Sequence, residues 1–364
     1  MGALLARELA PDADVAALPL VGMGLAYAGV PLLDPRAPLP SGGFGARGRG
    51  WFADLRAGGV GLVSRQRRTL GRRRGRVSHA VAIGDVFCLW MTAAAGTPVT
   101  LIATAKSSRH DPHGWLEIQL LRRLAGRVFA RDEETAGGLR AAGIDAVYVG
   151  NPLMDAIGHA ATETLRRPDC HVVLLLPGSR VDAYRNLSAL LRLADAVAPH
   201  MPVRWLCALA PTLDRSAVAA SAAAAGWSAA DTLLTRGAAT VLLTTDFSGG
   251  VRDADVVVSL AGTASEQAAG MGRPVVAFPG AGTQFTPAFL AAQQRLLGDA
   301  LVAASGWTDA AADVRRLLGD PDERLRRSAA GRLRMGPPGA VARIARSILE
   351  QVDATPPSTS RAGP

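Results

Sequence analysis

The stretch His171-Val172-Val173-Leu174-Leu175-Leu176-Pro177-Gly178-Ser179-Arg180 decides the fold. The apolar run from Val172 to Leu176 has no polar alternation. Such a run suits a strand buried on both faces, as in a parallel sheet. The Pro-Gly-Ser that follows ends the strand, and an Ala/Leu-rich helical stretch comes next. Working outward, short β-branched runs alternate with helical stretches along the chain. Expected strands are 77–83, 99–103, 127–130 and 146–149 in the first half. In the second half they are 171–176, 203–208, 241–244, 255–259, 274–278 and 300–303. Helical segments such as 187–198 and 287–297 are long enough for right-handed crossovers. The fold class is therefore α/β, doubly wound.

The pattern restarts after Asn151-Pro152, and the boundary is expected between His159 and Cys170. This gives a first Rossmann-like domain over 1–160 and a second over 161–338. A helix at 339–352 is expected to cross back to the first domain. The Pro/Ser/Thr-rich tail, 353–364, is expected to be disordered. No internal repeat of roughly 20–50 residues is visible. Residues 2–9 read as a helix with no strand before them. A doubly wound domain opens with a strand and a glycine-rich turn. The first strand and glycine loop are thus expected to be missing, the chain starting at an internal methionine.

The length of 364 residues suggests two domains rather than one. Hydrophobic residues make up 49%, which excludes global disorder. Aromatics are only 5%, so Ala, Leu and Val must build the interior. The three cysteines, Cys88, Cys170 and Cys207, are far apart. That excludes a disulfide framework and a Cys-rich zinc module, and fits a reducing compartment. The net charge is +9, with Lys106 the single lysine among 40 basic side chains. Codon usage in a GC-rich genome explains the arginine bias, and the charge permits anionic partners. No stretch reaches the roughly 18–20 apolar residues of a membrane span. Arg7 and Glu8 interrupt any signal-peptide core. A soluble cytoplasmic protein is expected, in peripheral contact at most with the inner face of the cytoplasmic membrane.

Two loops carry the chemistry of the second half. Pro177-Gly178-Ser179-Arg180 lies between a buried strand and a helix. There backbone N–H groups and the helix's positive end converge, which suits a phosphate. Arg180 can pair that phosphate bidentately. The bland alternative is an ordinary strand-to-helix turn. Ala261-Gly262-Thr263-Ala264-Ser265-Glu266-Gln267 has the same placement after strand 255–259. Gly262 and Thr263 supply donors. Glu266 reads either as a ribose-hydroxyl acceptor or as a helix-capping charge. Two such loops at the carboxyl ends of one sheet weigh more than either alone.

In the first half, Gly84-Asp85 ends strand 77–83. Asp85 reads as a base for a hydroxyl, or more simply as the N-cap of a helix starting at Val86. Arg65, Arg67, Arg68, Arg72, Arg73, Arg74 and Arg76 form the densest charge run. It reads as a solvated face, or as a patch for anionic lipid. The lack of interleaved aromatics argues against single-stranded nucleic acid. His110 and His113 are not at helical metal spacing, and the Asp253/Asp255 pair opens a buried strand. No metal is expected.

At these residues the chain resembles the lipid-A-disaccharide synthase family. These are inverting glycosyltransferases with two Rossmann-like domains and an interdomain cleft (the GT-B fold). The resemblance is nearest to the branch of lipid-A-disaccharide-synthase-related proteins. It rests on 19–24, Leu39-Pro40-Ser41-Gly42-Gly43-Phe44, Ala82-Ile83-Gly84-Asp85, Thr104-Ala105-Lys106-Ser107 and Val149-Gly150-Asn151-Pro152-Leu153-Met154-Asp155. It also rests on 177–180 and 261–267, all in family order. The resemblance implies Asp85 as the catalytic base or as a group that orients the acceptor. It implies Gly178, Ser179, Arg180, Gly262, Thr263, Glu266 and Gln267 as donor contacts. Ser41, Gly42, Gly43, Gly84 and Lys106 fall on the acceptor side.

The chain departs from the main family at four places. Ala261 stands for Ser, Gln267 for Glu, and Asn151 for His, and Asp182 lies one place before the usual acidic position. Glu266 is about 100° around the helix from the family's Glu. The implied partners are a UDP-sugar donor, a lipid-linked or amphipathic acceptor and an anionic membrane, with no nucleic acid and no cofactor. Two rival readings are UDP-sugar epimerisation on the same fold and a non-catalytic binding descendant.

Overall fold

The computed structural model describes residues 1–39, 50–158, 164, 166, 170–282 and 285–354. The chain forms two compact units, Met1–Ala156 with the segment from Pro338 onward, and Ile157–Pro337.

Unit 1 carries a parallel sheet of β1 (Ala80–Gly84), β2 (Val99–Ala103), β3 (Arg127–Phe129) and β4 (Ala146–Val147), in that spatial order. β1 is an edge strand among the described residues. It starts at Ala80 rather than Val77. Pairing begins where Ala80 N donates to Pro98 O at 3.0 Å, while Val77 and Ser78 are exposed. The helices in chain order are α1 (Gly2–Leu9), α2 (Gly50–Arg56), α3 (Gly59–Gly71), α4 (Val86–Thr92), α5 (Trp115–Leu124), α6 (Glu133–Ala141) and α7 (Pro152–Asp155). Side chains alternate across a strand, so β2 serves two cores. Leu101 packs with Leu89 of α4, Leu121 of α5 and Leu139 of α6. Its neighbour Ile102 packs with Phe129, with Leu5 and Leu9 of α1, and with Val341, Ile344 and Ile348 of the helix Ala340–Asp353. Each such buried side chain contributes roughly 1.5–3 kcal/mol. Asp155 accepts from Gly339 N, and from Val341 N at 2.7 Å, which fixes where that last helix begins.

Unit 2 carries β5 (His171–Leu176), β6 (Val203–Ala208), β7 (Ser228–Ala230), β8 (Leu233–Arg236), β9 (Ala239–Thr244), β10 (Val256–Ser259), β11 (Val275–Ala277) and β12 (Leu301–Ala303). Its helices are α8 (Asp182–Val197), α9 (Arg215–Ala224), α10 (Phe247–Asp253), α11 (Thr263–Gly270), α12 (Pro287–Leu297), α13 (Trp307–Gly319) and α14 (Pro321–Met335), and Ala340–Asp353 is α15. The spatial strand order is β12-β11-β10-β5-β6-β9-β8-β7. All neighbours are parallel except the β7–β8 and β8–β9 pairs. Val172 to Leu175 are fully buried, as an unalternated apolar run requires.

The chain runs from β5 to β6 and β9 on one side, then returns to β10 on the other side of β5. The switch point of the sheet therefore lies between β5 and β10. In open α/β sheets, ligands bind beyond the carboxyl ends of the strands at such a point.

Candidate functional site

The loops after β5 and β10 leave the sheet side by side. Ser259 is in register with Leu176, and Leu260 N donates to Leu176 O at 2.9 Å. Gly178 has φ +108, and a Cβ there would lie 3.5 Å from Leu260 O. The two glycine-bearing turns are thus in van der Waals reach, and the first needs glycine's left-handed freedom. The first turn leads into α8 at Asp182 and the second into α11 at Thr263. Each turn therefore opens a helix, whose start carries the positive end of the helix dipole at the carboxyl end of the sheet.

Further bonds hold these loops in place. Thr212 Oγ1, after β6, donates to Ser179 O at 2.7 Å. Buried Asn186 of α8 donates to Pro177 O at 3.0 Å and accepts from Ala281 N at 2.9 Å. It thereby ties the loops after β5 and β11 together. Ser265 Oγ lies 2.7 Å from Ser259 Oγ, which also accepts from Ala261 N at 3.2 Å. Phe289 packs 3.1 Å from the space a Cβ on Gly262 would fill, and its ring meets Phe285 edge-on at 5.3 Å. Ser179, Arg180 and Thr263 are exposed at the turns, and Gln267 is half-buried. Glu266 is buried, with Oε1 accepting from Gln293 Nε2 of α12 at 3.3 Å. Glu266 thus packs between α11 and α12, where it meets Gln293.

In unit 1, Asp85 caps α4. Its Oδ1 accepts from Phe87 N at 3.0 Å and Cys88 N at 3.2 Å, and the residue is exposed. Capping by one oxygen leaves Oδ2 outside both of these bonds. Gly84 has φ +140, and a Cβ on it would meet Cys88 Sγ at 2.8 Å, so glycine is required twice over. Burial, reinforced by the Asp85 carboxylate, pushes the Cys88 thiol up to about 11.

Lys106 Nζ lies 2.7 Å from Glu117 Oε2, 3.4 Å from Pro112 O and 3.7 Å from Asp111. The same Glu117 oxygen accepts from Gly114 N at 2.8 Å and caps α5. Lys106 hydrogen bonds and charge hold Glu117 below its usual carboxylate range against the opposing effect of burial, the largest single influence. The lysine therefore has a local role in shaping the 104–114 loop. Ser41, Gly42 and Gly43 lie outside the described residues.

The arginine run occupies α3 and the turn after it, and the structure divides it. Arg67 stacks 3.9 Å over the Trp90 ring and donates to Trp90 O at 2.5 Å. Arg74 donates to Ala94 O at 3.2 Å, and Arg68 to Ser64 Oγ at 3.2 Å. The run read as free of aromatics, but the fold brings Trp90 and its neighbour Phe87 to it, with ring centroids 5.9 Å apart.

The acidic pair at the start of β10 is engaged within the protein. Asp255 pairs with Arg166 at 2.8 Å and accepts from Val172 N at 2.9 Å, and Asp253 pairs with Arg252 at 2.8 Å. Sequence reasoning missed Asn186, Thr212 and Ser265. Asn186 alone had a visible signal, a polar residue on a helix face otherwise built of Ala183, Leu187 and Leu190.

No family model matches the chain. Among curated proteins it is similar to a lipid-A-disaccharide synthase from Syntrophus aciditrophicus (strain SB), 35% identical over 145 residues. That match covers 38% of this chain and 35% of the relative, so the chain spans about a third of that protein's length in the match. Among solved structures it is similar to CalG4, the calicheamicin glycosyltransferase, with a TM-score of 0.62 at 16% identity, covering 98% of this chain and 95% of that one. It is also similar to the UDP-GlcNAc 2-epimerase of Neisseria meningitidis bound to UDP-GlcNAc, with a TM-score of 0.53 at 15% identity over 79% of this chain and 81% of that one. The fold is therefore the α/β, two-Rossmann-domain class of GT-B glycosyltransferases and UDP-GlcNAc 2-epimerases.

Proposed function

We propose that the protein is an inverting glycosyltransferase that moves a sugar from a UDP-sugar to a lipid-linked acceptor. The donor is of the UDP-N-acetylglucosamine type, acylated or not. The observation that carries this reading is the pair of glycine turns, at Gly178 and Gly262, flanking the switch point of unit 2. The diphosphate meets the turn amides and the helix ends, and Arg180 pairs with it. Gly262, Thr263 and Gln267 serve the second nucleotide contact. On unit 1, Asp85 takes the proton of the acceptor hydroxyl. The freed oxygen attacks the anomeric carbon, and the bond from that carbon to the diphosphate oxygen breaks. UDP leaves with the electron pair and the anomeric centre inverts. Arg180 and the amides stabilise the charge that develops on the departing diphosphate. Gly84, Lys106 and the Ser41-Gly42-Gly43 stretch belong to the acceptor side, and the arginine run contacts anionic lipid. The curated relative's name supports the acceptor class.

Titration with UDP and with UDP-N-acetylglucosamine tests the donor half. Arg180→Ala is expected to weaken UDP by about 10- to 100-fold, the range for a charge-assisted bond. An unchanged affinity removes Arg180 from the site, and no binding by the unaltered protein removes the donor proposal.

The likeness to an epimerase solved with UDP-GlcNAc favours a second reading, inversion at the sugar's second carbon. Incubation with UDP-N-acetylglucosamine alone, then with a total lipid extract, separates the two. The 2-epimer formed without lipid supports epimerisation. Label carried into lipid supports transfer. Binding with neither product supports a non-catalytic descendant.

A further inference from the structure

A cavity of about 460 Å³ in unit 1 is lined by Leu32, Leu33, Asp34, Thr69, Arg72, Arg73 and Arg76. It sits where the loop 15–37 lies along the C-terminal part of α3. That loop is sutured to the helix. Buried Gln66 Nε2 lies 3.3, 3.2 and 3.2 Å from the carbonyls of Pro19, Leu20 and Pro35. Thr69 Oγ1 donates to Asp34 O at 2.8 Å, and Leu33 N donates to Ala17 O at 2.8 Å. One wall is therefore fixed in place and partly apolar.

The opposite wall is cationic. Beyond Gly71 the chain keeps coiling, with Arg73 N bonded to Leu70 O at 2.9 Å and Arg76 N to Arg73 O at 2.9 Å. Positions 72, 73 and 76 thus fall on one side of the turn, as i, i+1 and i+4 do on a helix. Arg67, Arg68 and Arg74 each have a protein partner. The guanidinium groups of Arg72, Arg73 and Arg76 have none among the described residues. The one carboxylate on the lining, Asp34, is paired with Arg36 at 2.9 Å. A helix C-terminus favours cations and accounts for one or two of them. It does not account for three like charges on one cavity whose one lining carboxylate is already paired.

We propose that this cavity is a binding site for a phosphate monoester dianion, held by Arg72, Arg73 and Arg76, with Leu32 and Leu33 against the group that carries the phosphate. Guanidinium forks match phosphate oxygens in pairs, and three of them suit a dianion better than a singly charged diester. The apolar wall suits a phosphate borne on lipid, though a soluble monoester presents the same chemistry. The proposal needs no donor-sugar chemistry and stands separately from the transfer reaction. It rests on the membrane reading only for the source of the phosphate.

The test compares two pairs of substitutions that remove equal charge, Arg72→Ala/Arg76→Ala in the cavity and Arg65→Ala/Arg68→Ala outside it. Each protein is titrated with glycerol phosphate. Each is also sedimented with phosphatidylcholine vesicles holding phosphatidic acid, or phosphatidylglycerol at matched surface charge. The expected result is that the cavity pair lowers glycerol phosphate affinity at least tenfold, and the outer pair less than twofold. A preference for phosphatidic acid that the cavity pair abolishes names a lipid source. Glycerol phosphate binding without that preference names a soluble one. Equal loss in both pairs, or no glycerol phosphate binding, overturns the site in favour of a diffuse field. Should a variant fail to fold, phenylglyoxal labelling of the unaltered protein decides. Glycerol phosphate is expected to shield Arg72, Arg73 and Arg76 but not Arg65 or Arg68, and equal shielding overturns the proposal.

Discussion

The two sheets solve the same packing problem and place their chemistry differently. In unit 2 the first strand, β5, has parallel neighbours on both sides, and the chain reverses direction across it. That reversal opens a gap between the helices that follow β5 and β10, and the glycine turns fall beside it. In the proposed donor site, backbone amides and helix ends do most of the work, so few side chains are needed. In unit 1 the order β1-β2-β3-β4 runs one way only, with β1 at the edge among the described residues. Among the described residues no reversal marks a site, and the chemistry proposed for this unit rests on particular side chains: Asp85, the Lys106–Glu117 pair, and the arginines of α3. Topology positions the proposed site in one unit and side-chain identity does so in the other. Substitution should therefore separate them.

The largest effect is expected at Asp85, where the observed cap and the proposed base are one carboxylate. Asp85→Asn keeps an oxygen for Phe87 N and Cys88 N but cannot take a proton. Transfer is expected to fall by roughly 10²–10⁴, the usual worth of a general base, with unfolding nearly unchanged. Asp85→Ala should lose the activity and also about 1 kcal/mol of cap stability. Full activity in Asp85→Asn would leave Asp85 with the cap alone. The contrast between the two variants isolates the side-chain role that unit 1 depends on.

A smaller effect is expected in unit 2, because its proposed site is mostly backbone. Asn186→Ala removes the side chain that joins Pro177 O to Ala281 N. It leaves two polar groups short of a partner and is expected to cost about 1–3 kcal/mol in denaturant unfolding. Loosening the first turn should also weaken UDP several-fold, with no shift in the pH profile of turnover. Unchanged UDP affinity would mean that the Thr212–Ser179 bond alone holds the turn.

Much of this contrast was visible in the sequence, and the reason is local. β2, β5 and β6 lie where the sequence placed them, because a strand buried on both faces is mostly apolar, with few polar residues such as Thr100 of β2 and Arg204 of β6. The hairpin Ser228–Ala230 and Leu233–Arg236 was missed, since its edge position exposes most of its residues and it has no burial pattern to read. Gly178 and Gly262 were legible as turns, but their adjacency depends on strand order, which no local signal encodes. The same limit applied to the arginines. Their density was plain at 65–76, yet only the loop at 32–34 turns three of them into the wall of a cavity. Trp90 under Arg67 is likewise a product of packing α4 on α3. The burial of Glu266 was not legible, because a carboxylate in a first helical turn reads the same whether it faces solvent or a buried Gln293.

The smallest expected effect is a pH response confined to one unit. Two histidines of unit 1, His79 and His113, are held below their ordinary value, in each case chiefly by burial, which disfavours the charged ring. His79 Nε2 also lies 2.9 Å from Thr100 Oγ1 of β2. Because the unfolded chain protonates these rings first, near their ordinary value of 6.5, it binds more protons than the folded one as pH falls below that point. Stability of unit 1 is therefore full above about pH 6.5 and declines on acidification through the lowered folded values. Hydrogen exchange followed peptide by peptide between pH 7.5 and 5.5, corrected for intrinsic rates, should show protection falling in β1 and β2 before β5 and β10. His79→Asn is expected to flatten that decline while leaving the neutral-pH protection of β5 and β10 where it was. If β5 and β10 lose protection in step with β1 and β2, the two units open together and the contrast between them does not extend to their stability.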